Sequence, residues 1–421
     1  MRATATVFAV SAAALVLAAG TLVVAGPLNP SAGPVASTYK TLTEVEPRIA
    51  INAANTPGDA TTVFKITKPG SYYLTGNVSG QPGKDSVIII AADGVTLDLN
   101  GYSIIGSDTW PAGVAQYCVN ANAVKGTTIR NGTLKFAATN HISMSTCVST
   151  RVENIHCIDA SETSISVGTN STIVNCSVKI SGTQGIVAYD GSVISHCTVA
   201  NAGDVGIYAN RSSITDCTVT DAGGTGFSLA SNSVATNCTA SQCNSGFGAG
   251  WGARFINCGA ESCTGDGFLS GFNAVIESCT ATLNGGDGFE LSDAAIIRNS
   301  TTYNNYGHGI NALGRSTILS NNCTGNGSNV AGTTSAGIFI NGADCRVEAN
   351  NLIGNDWGIR AAAAGNLIIR NTASGNTTAN YSSAAGNVWG PVVQGTTAGS
   401  FTANIQATST GSTDPNTNYS Y

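Results

Sequence analysis

The sequence predicts an all-β chain wound as a parallel β-helix, and three observations carry that prediction. A unit of about twenty-one residues recurs seven times between Ser171 and Arg315, beginning STIVNCSVKISGTQGIVAYDG and ending AIIRNSTTYNNYGHGINALGR. Cysteine returns at one place in the unit, as Cys176, Cys197, Cys217, Cys238, Cys258 and Cys279, with Ser300 next in line. A Gly followed by a large apolar residue returns at another, giving Ile186, Ile207, Phe227, Phe247, Phe268, Phe289 and Ile310. A fixed period of this size is the mark of a solenoid. Runs such as TIVN and GIVAY are too short for helices and are rich in strand-favouring residues. Strands stacked coil on coil lie about 4.8 Å apart, so each column becomes an internal ladder of like side chains.

The elements follow in chain order. Met1 to Ala25 holds one Arg, an apolar run from Val7 and the small residues Val23-Val24-Ala25, the pattern of a secretory signal peptide. That places the protein outside the cell or at its surface; an uncleaved segment would instead be a membrane anchor. Residues 26–86 carry no repeat and seven prolines, and are expected to form a leader and an N-terminal cap over the exposed solenoid end. Coils are expected from Val87 to Trp389, roughly a dozen of them, with a loop at Trp110-Pro111 and an insertion around Gly325–Ser335. Cys118, Cys147 and Cys157 are core candidates in the irregular coils. Residues 390–421 lose the pattern and read as a C-terminal cap or tail.

Composition excludes several partners. The net charge is −6 with 18 Lys and Arg in 421 residues, so nucleic acid is not expected, and no basic stripe faces a membrane. With 42% hydrophobic residues and 10% charged ones, the chain is no disordered tail. The 13 cysteines read best as small apolar core residues, since stacked ladder thiols point the same way. Cys238–Cys243 and Cys258–Cys263 have zinc-like spacing, but five extended residues span roughly 15 Å and no tetrahedral site closes. No metal or cofactor is expected.

The column before each ladder cysteine holds Asn175, His196, Asp216, Asn237, Asn257, Ser278 and Asn299, residues that tolerate left-handed backbone at a bend. His156 is expected there too.

The repeat I-x-N-C … G-x-G-[IF] resembles that of the pectate-lyase-like superfamily over about Val87 to Trp389. The resemblance implies a right-handed parallel β-helix, and enzymes of that superfamily mostly cleave or remodel acidic polysaccharides in a groove along one face. The residue before each repeat Gly becomes Asp266, Asp287 and His308 in three consecutive units, candidates for acid–base work. The set is similar to that of polygalacturonases, with Asp266-Gly267 for the first motif, Asp287 for the second Asp of a pair and Gly307-His308-Gly309 for the third. Gly286 stands where the family's general-acid Asp belongs, and the basic Arg-Ile-Lys motif has Arg346 and Arg360 as nearest substitutes. A second, outward column offers Tyr208, Glu290, Asn311, Phe339 and Arg360 for sugar binding by stacking and hydrogen bonds. The expected function is binding or processing of an extracellular polysaccharide or cell-surface glycan, as a divergent glycoside hydrolase. The alternative is a catalytically inert structural or adhesive rod.

Overall fold

The computed structural model describes residues 47–106, 117–327, 335–397, 400–403 and 414–421. Every regular element among them is a β-strand. One regular coil shows the plan: Val193–Ser195 lies in sheet 1, Thr198–Ala202 in sheet 2 and Ile207–Ala209 in sheet 3. The next coil repeats it in register, with Ile194 against Ile214, Val199 against Val219 and Ile207 against Phe227. Sheet 3 contains fifteen strands, all paired in parallel with their neighbours one coil away. Sheets 1 and 2 are joined by the ten-residue strands Thr128–Ala137 and Arg151–Ala160, which run through both.

Left-handed backbone turns the corner between sheets 1 and 2. Asn175, His196, Asp216, Asn237, Asn257, Ser278 and Asn299 all have φ between 52° and 55°. Short polar side chains lower the cost of that conformation, and here they also bond along the column. Asn237 Nδ2 donates to Asp216 Oδ1 at 3.0 Å and Asn257 Nδ2 to Asn237 Oδ1 at 2.8 Å. His156 is not in this column. It pairs with Ser177 on sheet 2, and Asn154 takes the bend with φ 53°.

The core fills with the two predicted columns. Phe227, Phe247, Phe268 and Phe289 are fully buried and stack ring on ring at 4.8, 4.6 and 4.8 Å. Phe255 meets two of these rings edge-on, at 5.5 and 5.6 Å. All 13 cysteines are buried and free. Burial pushes the thiols of Cys118 and Cys323 up to about 12, so they stay protonated. Cys238 and Cys243 lie at different corners of the coil, the first entering sheet 2 and the second leaving it.

The ladder reaches further than the repeat. Ile49–Ala50 already pairs in parallel with Gly70–Tyr73, and Thr62–Ile66 with Ser86–Ile90, all N-terminal to Val87 or across it. At the other end Asn418–Ser420 pairs in parallel with Thr372–Ser374, beyond a short antiparallel pairing of Val392–Thr397 with Ser400–Ala403. A dozen coils is therefore too few. Fifteen strands at the usual spacing make sheet 3 about 70 Å long. The signal segment and the Trp110-Pro111 loop lie outside the described residues. Most of the insertion does too, but Asn322 pairs with Asn351 across it, so the winding resumes in register.

Candidate functional site

The turn into sheet 3 decides where the candidate acids point. A Cβ on Gly288 would meet Gly309 O at 2.6 Å and Asn305 Nδ2 at 2.9 Å, so this position faces the packed interior. Phe289, next along, is also buried, and Asp287 just before the glycine is left at the half-buried rim. Gly267 does the same for Asp266. Each rim side chain then reaches one coil on. Asp266 Oδ1 accepts the Asp287 backbone N–H at 2.6 Å, Asp287 Oδ1 accepts that of His308 at 2.6 Å, and His308 Nδ1 accepts that of Ala336 at 2.9 Å. The three residues thus form one continuous chain of side-chain to backbone bonds.

This chain limits the chemistry. A backbone N–H bonded to Nδ1 requires the imidazole to carry its proton on Nε2. Burial, with help from the Arg360 charge, pushes the His308 pKa down to about 4, so the ring is neutral and is a hydrogen-bond donor at Nε2. It is not a general base. Asp287 has its second oxygen committed as well, accepting from Asn311 Nδ2 at 2.9 Å. Burial raises the Asp287 pKa, and the neighbouring Asp266 charge adds to it against the pull of these hydrogen bonds. Glu290 is raised too, by burial first and then by Asp266 and Asp287.

The outward column lies beside this one. Leu269, Glu290, Asn311, Phe339 and Arg360 are direct partners in successive strands of sheet 3. The His308 ring stacks on Phe339 at 4.5 Å, 13° from parallel. The Arg360 guanidinium lies over Phe339 at 5.4 Å and over Trp357 at 5.8 Å. Asn311 Oδ1 is buried and has no hydrogen-bond partner among the described residues. Two adjacent columns therefore make one patch, with three carboxyl groups at one end, aromatic rings in the middle and a guanidinium at the other.

Residues 193–324 match the model of a family described as the right handed beta helix region. The chain is a right-handed parallel β-helix. No curated protein matches it in sequence. Among solved structures it is similar to the A-module of mannuronan C-5 epimerase AlgE4 from Azotobacter vinelandii, at 16% identity over 76% of this chain and 91% of that one, TM-score 0.46. It is similar to the catalytic unit of the thermostable GH87 alpha-1,3-glucanase from Streptomyces thermodiastaticus, at 10% identity over 89% and 68%, TM-score 0.42. A tailspike protein of E. coli bacteriophage HK620 is 12% identical over 73% and 64%, TM-score 0.43.

The structure brings together Asp266, Asp287, His308, Glu290, Asn311, Phe339 and Arg360. Tyr208 stands four strands before Glu290 in the same column, about 19 Å away, with its ring edge-on to Tyr189 at 6.3 Å. Arg346 does not belong to the patch. It is on sheet 1 and bonds Glu348 through Nε at 2.7 Å. Trp357 was missed as a site residue, although it occupies the column of Asp266, Asp287 and His308. Its signal was position, not residue type.

Proposed function

We propose that sheet 3 from Asp266 to Arg360 binds a polysaccharide chain running along the solenoid axis, in a protein that is secreted or held at the cell surface. The observation that carries this reading is the in-register run Glu290, Asn311, Phe339, Arg360, outward on four adjacent strands. Trp357 supplies an apolar face for a sugar ring, Phe339 the apolar edge of a ring already stacked on His308, Arg360 a cation, and His308 Nε2–H a donor. The orphaned Asn311 Oδ1 is an acceptor that a sugar hydroxyl would satisfy. Tyr208 extends the same track, so a long glycan would make contacts that a short oligosaccharide cannot.

Affinity electrophoresis through gels cast with different polysaccharides tests this. Retardation by one of them should weaken about tenfold in Phe339→Ala and in Arg360→Ala, about 1.4 kcal/mol each. A wild-type protein that migrates freely through every gel of a broad panel would leave the inert structural rod as the better reading.

A second reading, glycoside hydrolysis, is favoured by the raised pKa of Glu290 beside Asp266. A carboxyl that holds its proton more tightly, beside a second carboxyl, is the pairing such reactions use. Glu290 is then the acid and Asp266 the base or nucleophile, while Asp287 and His308 hold the rim in shape. Glu290→Gln should abolish release of reducing ends and keep gel retardation. Equal release by wild type and Glu290→Gln would remove Glu290 from the chemistry.

A further inference from the structure

Sheet 2 presents a second surface of a different kind. Its outward residues sit two apart on each three-residue strand, with a buried residue between them, as in Thr218-Val219-Thr220 and Thr280-Ala281-Thr282. Parallel pairing without a register shift stacks these into two straight rows. Thr198, Thr218, Thr239, Thr280 and Thr301 form the first, interrupted once by Gly259. Thr220, Ser241, Thr282 and Thr324 mark the second, interrupted by Glu261 and Tyr303.

Three properties of this face point the same way. The rows repeat about every 4.8 Å along the axis and lie about 6.8 Å apart across it, a two-dimensional grid of hydroxyl and methyl groups. Those two repeats are close to the oxygen repeats along the a and c axes of hexagonal ice. Charge is nearly absent. From Thr198 to Ser374 the outward positions carry a single charged side chain, Glu261. Two neighbouring pairs of hydroxyls are also tied to each other along the rows. Thr239 Oγ1 donates to Thr218 Oγ1 at 3.2 Å and Ser241 Oγ to Thr220 Oγ1 at 3.4 Å, and the three threonines among these are β-branched and stiff at χ1.

We propose that sheet 2 is an ice-binding surface, whose threonine grid orders the first water layer in register with a crystal face. The hydroxyls anchor waters at lattice points, and the methyl groups between them leave those waters to bond to one another. A charged group would hold a hydration shell of its own geometry, and the face carries almost none. The interruption at Gly259 and Glu261 leaves a shallow depression of about 430 Å³ lined also by Thr239, Ser241, Thr280 and Thr282. It divides the grid in two. A Cβ at residue 259 would come no closer than 3.1 Å to Thr280 Oγ1, so a threonine fits there with a small shift.

The experiment is thermal hysteresis and partition into a growing ice hemisphere with the full chain. The wild type should shape ice crystals and enter the ice. Thr218→Lys and Thr239→Lys should each reduce both signals to those of a non-binding control protein, with unchanged far-ultraviolet circular dichroism. The double variant Gly259→Thr, Glu261→Thr completes both rows at this coil and should raise the hysteresis above wild type. Phe339→Ala, on sheet 3, should leave both readouts unchanged, which separates this surface from the glycan track. Exclusion of folded wild type from ice would overturn the proposal. So would ice entry that Thr218→Lys does not alter, or polysaccharide binding lost in Thr218→Lys by a protein that leaves ice growth untouched.

Discussion

The coils before Cys279 and those after Asn321 turn the same corner with different chemistry. In the first half the column entering sheet 2 is a file of thiols. Each sulfur donates weakly to a carbonyl two residues back, as Cys197 does to Ser195 O at 3.2 Å, and the Cys197 N–H finds only Cys217 Sγ at 3.5 Å. In the second half the column is a file of amides. Asn321 N–H donates to Asn350 Oδ1 at 2.9 Å, Asn321 Nδ2 donates to the same oxygen at 3.0 Å, and Asn350 repeats both bonds to Asn371. Asn418 ends the file by accepting from Asn371 at 2.9 and 3.1 Å. The corner into sheet 3 changes the same way, from Cys243 and Cys263 to Asn284, Asn305 and Asn326.

The aromatic stack changes with it. Phe289 is the last ring of the continuous stack; Ile310, Ile338 and Ile359 take the place in the next three coils, and Tyr381 follows in the last strand of sheet 3. The first half thus holds its corners loosely and its centre tightly, and the second half does the reverse. Asp266, Asp287 and His308 sit on the coils where one scheme gives way to the other.

That contrast can be broken at several points. The largest effect is expected from Phe268→Ala, about 4 kcal/mol of stability, because it removes a ring with stacked neighbours on both sides. Chemical denaturation followed by circular dichroism measures it. Next is Asn350→Ala, about 3 kcal/mol, since it strands the Asn321 backbone N–H and side-chain amide at once. The same measurement on Cys238→Ala should show about 1 kcal/mol, the loss of one small apolar group and a weak donor. If the cysteine and asparagine variants cost the same, the two corners are energetically alike and the contrast fails.

Acid should act on specific rings. His141 and His308 are both neutral in the fold, each with its pKa pushed from 6.5 down to about 4 by burial. The unfolded chain then binds more protons between those values, so stability is full above pH 6.5 and is lost as pH falls toward 4. Replacing His308 with Gln should flatten that slope in a series of melting temperatures. Asp287 works in the opposite sense and less strongly. Its raised folded value means stability falls as pH rises from just below 3.8 through that value, and Asp287→Asn should remove the fall.

The winding was legible because a solenoid writes each contact as a fixed sequence separation. Cys197 stacks on Cys217 and Phe247 on Phe268 because the columns say so. The bend column was legible for the same reason, down to the left-handed Asn237 and Asn257. The first coils were not, since Thr62–Ile66 and Gly70–Tyr73 share no repeat with later units and owe their place to pairing alone. The asparagine files were hidden by a change of residue type within one column. At the site, the positions of Asp287 and His308 were readable but their bonds were not. Which oxygen takes which backbone N–H depends on how far the rim side chain leans toward the next coil, and no spacing encodes that.

The strand Asn418–Ser420 has a further consequence. It takes backbone bonds from Thr372–Ser374 on one side and from Val392–Thr397 on the other, closing what would be an open parallel edge. An unpaired edge of this length is a template for another chain. Shortened versions ending near residue 390 should therefore join head to tail into filaments, visible by electron microscopy, while the longer protein stays dispersed.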